Sequence, residues 1–547
     1  MFLAVWDFDQ GMSGMYGTSG SLEFLAPAML ATVAMVQMSA LALIAPVLTA
    51  GAIADEKRMR TLSTLLTTPL SSRDLVLGKL AAGTVQLGVL AMIPMPLLLA
   101  LRVFGGVESE AIVASLVLSL SLGLLGASLA LMFSIWHRRT PSIVFYALCS
   151  IAVITGAPWM LGELSDYVLD TDLVATMLHL VAPYAQMLVL YPEILGSGSV
   201  AQTRIYWLTA VGYNTSITLV LVLFSMFVLR GVLRREAAGG ASQGTLARFI
   251  TPGVEPDAAV RNAAERDPRM VGDAPIFWRE VRQGATGSRI KTAAILGIGV
   301  VILMVLYATA GMDSTGLTPT IAVITAMALA MQAALTTPNA ISSERDAGNW
   351  GVLLTTPVTG RQVVMGKVAG AIRRLWLLPA LLALHMAVVM VLGWLHPVAA
   401  LHTVILLGGL VLMLAGTGIF LGMFCKRGIT ASVANMAVPI TLYVGLPVLL
   451  AMIANMLDYR HGGMDWAQNF IALSSPFILL AEATGAASSE YEPHQFYLRY
   501  GPLGLDEVHL GGFTFYTLIC GVGTSLIGVA AMTAAIAGFD RFNGRPS

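Results

Sequence analysis

The sequence predicts an all-α fold, a polytopic transmembrane helical bundle of about eleven spans built by tandem duplication. Three observations predict it. Of 547 residues, 56% are hydrophobic and only 11% are charged, with a mean hydropathy of +0.78. A soluble globular chain carries about 25% charged residues, so that class is excluded. The apolar residues also come in nearly charge-free blocks of roughly 20 to 30, long enough to cross the hydrocarbon of a bilayer. Finally, one motif with polar ends occurs twice, far apart in the chain.

Taken in order, the apolar blocks lie near 24–53, 80–101, 111–136, 142–162 and 205–229, then near 292–311, 317–341, 375–395, 399–424, 430–456 and 511–538. Two further apolar stretches do not fit as spans. Residues 173–195 are broken at Pro183, and residues 466–484 at Ser474-Ser475-Pro476. Counting either as a crossing would put basic loops on alternating sides, so both are expected to dip in and return.

Lys and Arg set the orientation. They cluster at Lys57, Arg58, Arg60, Arg73 and Lys79, at Arg138-Arg139, across 230–291, and at Arg345, Arg361, Lys367, Arg373-Arg374, Lys426-Arg427, Arg541 and Arg545. The alternate loops hold acids, among them Glu108, Glu110, Asp166, Asp170, Asp458, Glu490 and Asp506. The basic side is expected to be cytoplasmic, with the C-terminus inside and the chain in the cell (inner) membrane. Trp159, Tyr191, Tyr206, Trp207, Trp394 and Trp466 fall near the outer ends, where an aromatic belt belongs.

The duplication is plainest where EKRMRTLSTLLTTPLSSRDLVLGKL (56–80) aligns without a gap on ERDAGNWGVLLTTPVTGRQVVMGKV (344–368). Each copy follows one apolar block and precedes another. MFSIWHRR (132–139) parallels MFCKRG (423–428), and APYAQML (182–188) parallels SPFILLA (475–481). Residues 1–235 therefore read as a first half of about five spans, 236–273 as a Gly-, Pro- and charge-rich linker, and 274–547 as a second half of about six. The second half opens with APIFWREVRQGATGSRIKTAAILGIG, an amphipathic surface helix followed by a span. The first half has no such opening and is expected to lack its first span.

Local chemistry shapes the repeated motif into an elbow. Gly348 suits a left-handed helix end, with Arg60 at the matching place. A helical turn then keeps Leu65-Leu66 or Leu353-Leu354 for packing and stops at Pro69 or Pro357, because the residue before proline is steered to extended backbone. Ser71 with Asp74, and Thr359 with Gln362, read as capping boxes that open the next helix. Lys79 and Lys367 stand one to two turns in, where they are expected to snorkel to the interface.

With its neighbours, E…LLTTPLSSRDLVLGK resembles the ABC-2 type permeases of ABC exporters, over both halves and including PIFWRE. The resemblance implies a six-helix unit fused in two copies. It implies that each elbow is a coupling segment docking on a separate ABC ATP-binding subunit. One segment would comprise Glu56, Leu65, Leu66, Pro69, Gly78 and Lys79. The other would comprise Glu344, Leu353, Leu354, Pro357, Gly366 and Lys367. It is silent on substrate.

Other chemistry finds no support in the residues. GRQVVMGK (360–367) has one residue too many for a P-loop and Val368 in place of Ser/Thr, so ATP is expected on a partner subunit and no cofactor or catalytic residue on this chain. The eight histidines share no ligand spacing; His385 and His402 read as hydrogen-bonded or interfacial groups. Cys149, Cys425 and Cys520 form no metal or disulfide pattern. Zero net charge gives no basic surface for nucleic acid. No charge falls deep in an apolar block, which argues against an ion-coupled carrier. A membrane scaffold or sensor in an ABC-like complex that moves nothing is the other class of reading.

Overall fold

The structure is a computed structural model that describes residues 22–58, 71–101, 109–137, 140–169, 200–237, 275–282, 317–346, 350–425, 427–446, 474–486 and 510–542, besides positions 183, 297, 299, 300, 303, 307 and 348. Every regular element among the described residues is helical. The chain forms two compact units, Met1–Arg266 and Asp267–Ser547.

Unit 1 contains α1 (Leu22–Arg58), α2 (Ser72–Met92), α3 (Met95–Leu101), α4 (Ser109–Trp136), α5 (Thr140–Leu169) and α6 (Val200–Ala237). α4 is its axis: α1, α2, α5 and α6 all pack on it. Leu41, Ala45, Ile53, Val76, Leu80, Leu87, Ala127, Leu131, Ile135, Val222 and Leu229 form the core where α1, α2, α4 and α6 meet. From Ala111 onward α4 has no Asp, Glu, Lys or Arg. Its serines satisfy themselves, as when Ser119 donates to the Ser115 carbonyl at 2.6 Å and Ser128 to that of Leu125 at 2.8 Å. That bonding lets hydroxyls sit in an apolar interior without a partner helix.

Unit 2 contains α7 (Pro275–Arg282), α8 (Leu317–Asp346), α9 (Trp350–Thr355), α10 (Gly360–Arg374), α11 (Leu377–Val391), α12 (Pro397–Phe424), α13 (Gly428–Ile440), a π-helical turn Thr441–Gly445, α14 (Pro476–Ala486) and α15 (Leu510–Phe542). Here α12 is the axis, with α8 on one side and α15 on the other. Glycines bring α12 and α15 together. A Cβ on Gly416 would stand 2.0 Å from the Gly528 carbonyl oxygen, and one on Gly528 2.3 Å from that of Leu412. On the other side, buried Asn435 of α13 donates to Thr337 Oγ1 of α8 at 3.2 Å and to the Leu414 carbonyl of α12 at 3.1 Å, and accepts from Thr417 at 2.7 Å.

The duplication is visible in the helix ends. Ser72 and Gly360 open α2 and α10; Ser109 and Pro397 open α4 and α12; Trp136 and Phe424 close them; Thr140 and Gly428 open α5 and α13. In every pair the second number exceeds the first by 288. This register corrects one detail of the sequence alignment. The Met-Phe pairs at 132–133 and 423–424 are not equivalent; Arg138-Arg139 and positions 426–427 are.

Seven described helices are long and apolar enough to cross a membrane, or eight if α10 and α11, bent by 48°, count as one broken span. The expected block at 375–395 contains α11, which follows the capped helix α10 after a break at Leu375-Trp376. Blocks 142–162 and 430–456 appear as shorter apolar helices, Thr140–Gly156 and Gly428–Tyr443. Most of the blocks 292–311 and 173–195 lies outside the described residues. Of 466–484, the part after Ser475 forms the short helix α14.

Candidate functional site

The second elbow is built as its residues dictate. α8 ends at Asp346, and Gly348 adopts φ 73°, its N–H donating to the Arg345 carbonyl at 3.1 Å. A side chain there would strain against its own carbonyl, which is why glycine stands at this stop. α9 runs one and a half turns and ends at Thr355, just before the bend at Thr356-Pro357. Thr359 then caps α10 in a reciprocal box with Gln362, and Ser71 does the same for α2 with Asp74.

Trp350 and Leu353 are half-buried and pack on Ile276, Ile341, Val363, Val364 and Phe539. The Trp350 and Phe539 rings lie 6.1 Å apart, so the end of α15 props the elbow from beneath. Gly360 allows this, since a Cβ there would come within 2.9 Å of Phe539. Arg345 ties α8 to the end of α12, donating to the Cys425 and Met423 carbonyls at 2.9 and 3.1 Å, and it lies over the Trp350 ring. Among the described residues, Gly348, Gly351, Thr355, Pro357, Thr359, Arg361 and Gln362 are exposed and form a polar tip.

Beneath that tip lies a cluster of charges. Lys367 is only 2% exposed, and its ammonium donates to Glu280 Oε1 at 2.6 Å and to Glu344 Oε1 at 2.8 Å. Glu280, also 2% exposed, accepts from Arg374 at 2.8 Å and from Arg279 at 3.0 Å; Arg279 reaches Glu344 as well. Lys367 therefore does not snorkel. It is covered by α7 and held inside by two carboxylates. Burial alone would push the Glu280 carboxyl up. The hydrogen bond and charge of Lys367, then Arg279 and Arg374, outweigh burial and hold Glu280 below the ordinary carboxylate range.

Unit 1 repeats part of this at the same register. Lys79 pairs with Glu56 at 2.7 Å, but in the open, with Lys79 37% exposed. Lys57 donates to the Ile135 carbonyl, a contact spanning the same 78 residues as Arg345 to Met423. Gly78 lies on an open face of α2 with nothing near its missing Cβ. Leu65, Leu66 and Pro69 lie outside the described residues, as does the side chain of Leu354.

The repeat groups Glu56 with Lys79 and Glu344 with Lys367, but its spacing does not single out Glu280, Arg345 or Arg374. A signal exists for Glu280. On the short helix PIFWREVR it shares a face with Ile276, four residues earlier, so the buried stripe of that helix contains an acid. Gly360–Lys367 are helical rather than a loop, so they have no cradle for phosphate. His402 lies 3.0 Å from Thr514 Oγ1, and His385 stacks on Tyr307. Among the described residues no three His, Cys, Asp or Glu side chains converge as a metal site.

These features define a multi-pass helical membrane protein with two homologous halves, the second bearing a charge-braced elbow between its helices. Residues 18–310 and again 297–543 match the ABC-2 family transporter protein family, and the chain belongs to that family, as two permease halves fused in one chain. It is thus a membrane-spanning permease component of an ABC transporter. Searches of curated proteins and of solved structures gave no match.

Proposed function

We propose that this chain is the permease of an ABC exporter whose ATP is hydrolysed on separate subunits, docked at the two elbows from the cytoplasm. The observation that carries this reading is the second elbow. It is capped at both ends, stands between α8 and α10 and is braced on α12 and α15, while its polar tip is exposed. A push on such a tip moves several spans together, because packed helices shift as bodies rather than deform. The matching register of Glu56–Lys79 and Glu344–Lys367 supports a second docking point in unit 1. α4 beyond Glu110 and all of α12 lack charged residues. That favours an outside energy source over ion coupling, with an apolar or amphipathic lining suited to a lipid-like substrate.

Two measurements test it. A cysteine at Thr355 or Thr67, in a chain cleared of its own three, should react with an impermeant maleimide only after cells are opened. It should be protected when an ABC ATPase subunit is bound. Labelling from outside intact cells would end the reading. In liposomes the complex should hydrolyse ATP faster when transported substrate is present; a scaffold would show no stimulation.

A further inference from the structure

The charge cluster joins three separate elements: α7 before the first span of unit 2, α8 before the elbow, and α10 after it. α7 lies directly on α10. A Cβ on Gly366 would come within 2.8 Å of Ile276 Cγ2 and 3.0 Å of the Phe277 nitrogen, and one on Gly370 within 2.5 Å of Glu280 Cβ. Gly366 and Gly370 thus make a groove one turn long in which α7 sits. Lys367 and Arg374, two turns apart along α10, close on the two oxygens of Glu280, Lys367 on Oε1 and Arg374 on Oε2.

This arrangement costs more than packing requires. A buried ion cluster gains little over apolar side chains of equal volume, whereas a bidentate grip fixes direction. An apolar contact in a glycine groove would let α7 slide or roll. A carboxylate held at both oxygens does not. Among the described residues unit 1 differs: at the matching positions of α2 stand Ala82 for Gly370 and Gln86 for Arg374, both exposed, although the Glu–Lys pair is kept.

We propose that Glu280 is the positioning residue of the second elbow. It pins α7 into the groove of α10 and fixes Lys367, so that surface helix and elbow turn as one body and the push reaches the chain that follows α7, where the sequence predicts a span near 292–311. The proposal rests on the docking reading above.

The test uses the full chain with its ATPase subunit, its native cysteines replaced, and spin labels at Phe277 of α7 and Arg373 of α10, both exposed and outside the polar tip. In the parent the distance distribution should be narrow and the same without nucleotide and with ATP plus vanadate. In Glu280→Gln it should broaden, and shift on adding ATP plus vanadate. The kcat for ATP should change several-fold while KM stays put, because the ATP site is elsewhere. Arg374→Gln should broaden the distribution in part and Arg374→Lys should restore it, a distinction that a merely structural role would not make. If Glu280→Gln does not accumulate, the Arg374 pair is read alone. A parent distance that moves with nucleotide, or a Glu280→Gln or Arg374→Gln distance equal to the parent's, overturns the proposal. If no ATPase binds the parent, the docking reading fails, while the nucleotide-free distances still decide the role of Glu280.

Discussion

Lys79 and Lys367 occupy the same register in the two halves, and replacing each by Met should have very different consequences. Met keeps the length and apolar stem of Lys and removes only the charge. At Lys367 the change leaves Glu280, 2% exposed, and Glu344, 15% exposed, without the ammonium between them. Breaking a buried pair from one side costs about 3–5 kcal/mol. Arg374 and Arg279 still contact Glu280, so a value toward the lower end, about 2–4 kcal/mol, is expected. At Lys79 the lysine paired with Glu56 is 37% exposed; solvent screens the pair, and about 0–1 kcal/mol is expected. At roughly 2–4 °C per kcal/mol for a unit of this size, Lys367→Met should lower the melting temperature by roughly 4–16 °C. Lys79→Met should lower it by no more than about 4 °C. Thermal unfolding of both variants in one detergent, followed by near-UV circular dichroism, reads the difference. Equal shifts would refute the claim that burial, not the Glu–Lys pairing itself, sets the cost.

Acid should act on the same cluster. Glu280 is held below its usual 4.5 in the folded chain, so its stabilisation is complete above that value and disappears as pH falls through the lower folded value. Melting temperature should therefore drop steeply below about pH 4.5 in the parent and less steeply in Glu280→Gln, relative to each protein at pH 7. Gly416→Ser should cost about 1–3 kcal/mol by forcing α12 from α15; the reverse change at the matching Ser128 of unit 1, Ser128→Gly, should cost under about 1 kcal/mol. Unfolding midpoints of the two variants check this. Gly348→Ala should cost about 1–2 kcal/mol at φ 73°, and a thermal scan that shows no loss would contradict the left-handed stop.

Much of the elbow is legible in residue spacing alone. The two capping boxes, the left-handed Gly348 and the stop before Pro357 all appear where the spacing places them, because each is decided within four residues by backbone hydrogen bonds and sterics. The starts of α8 at Leu317 and α12 at Pro397 fall within two residues of expectation for a related reason. Charge-free blocks end where the chain reaches water and polar groups can be solvated. The break between α10 and α11 is not legible in this way. Composition does change there, from four cations in 360–374 to none in 377–391, but it does not record the 48° bend or that α10 packs against α7.

The sequence by itself determined that this is a duplicated bundle of membrane-spanning helices with one motif repeated between them, since lipid demands long apolar helices and a gap-free repeat is read letter by letter. Tertiary structure alone decided that Lys367 is enclosed while Lys79 is open. It also decided that Glu280, on a helix more than sixty residues before the elbow, belongs to it. The physical reason is that burial and pairing of a charge depend on which helix lies over it, and no local spacing records what covers a side chain.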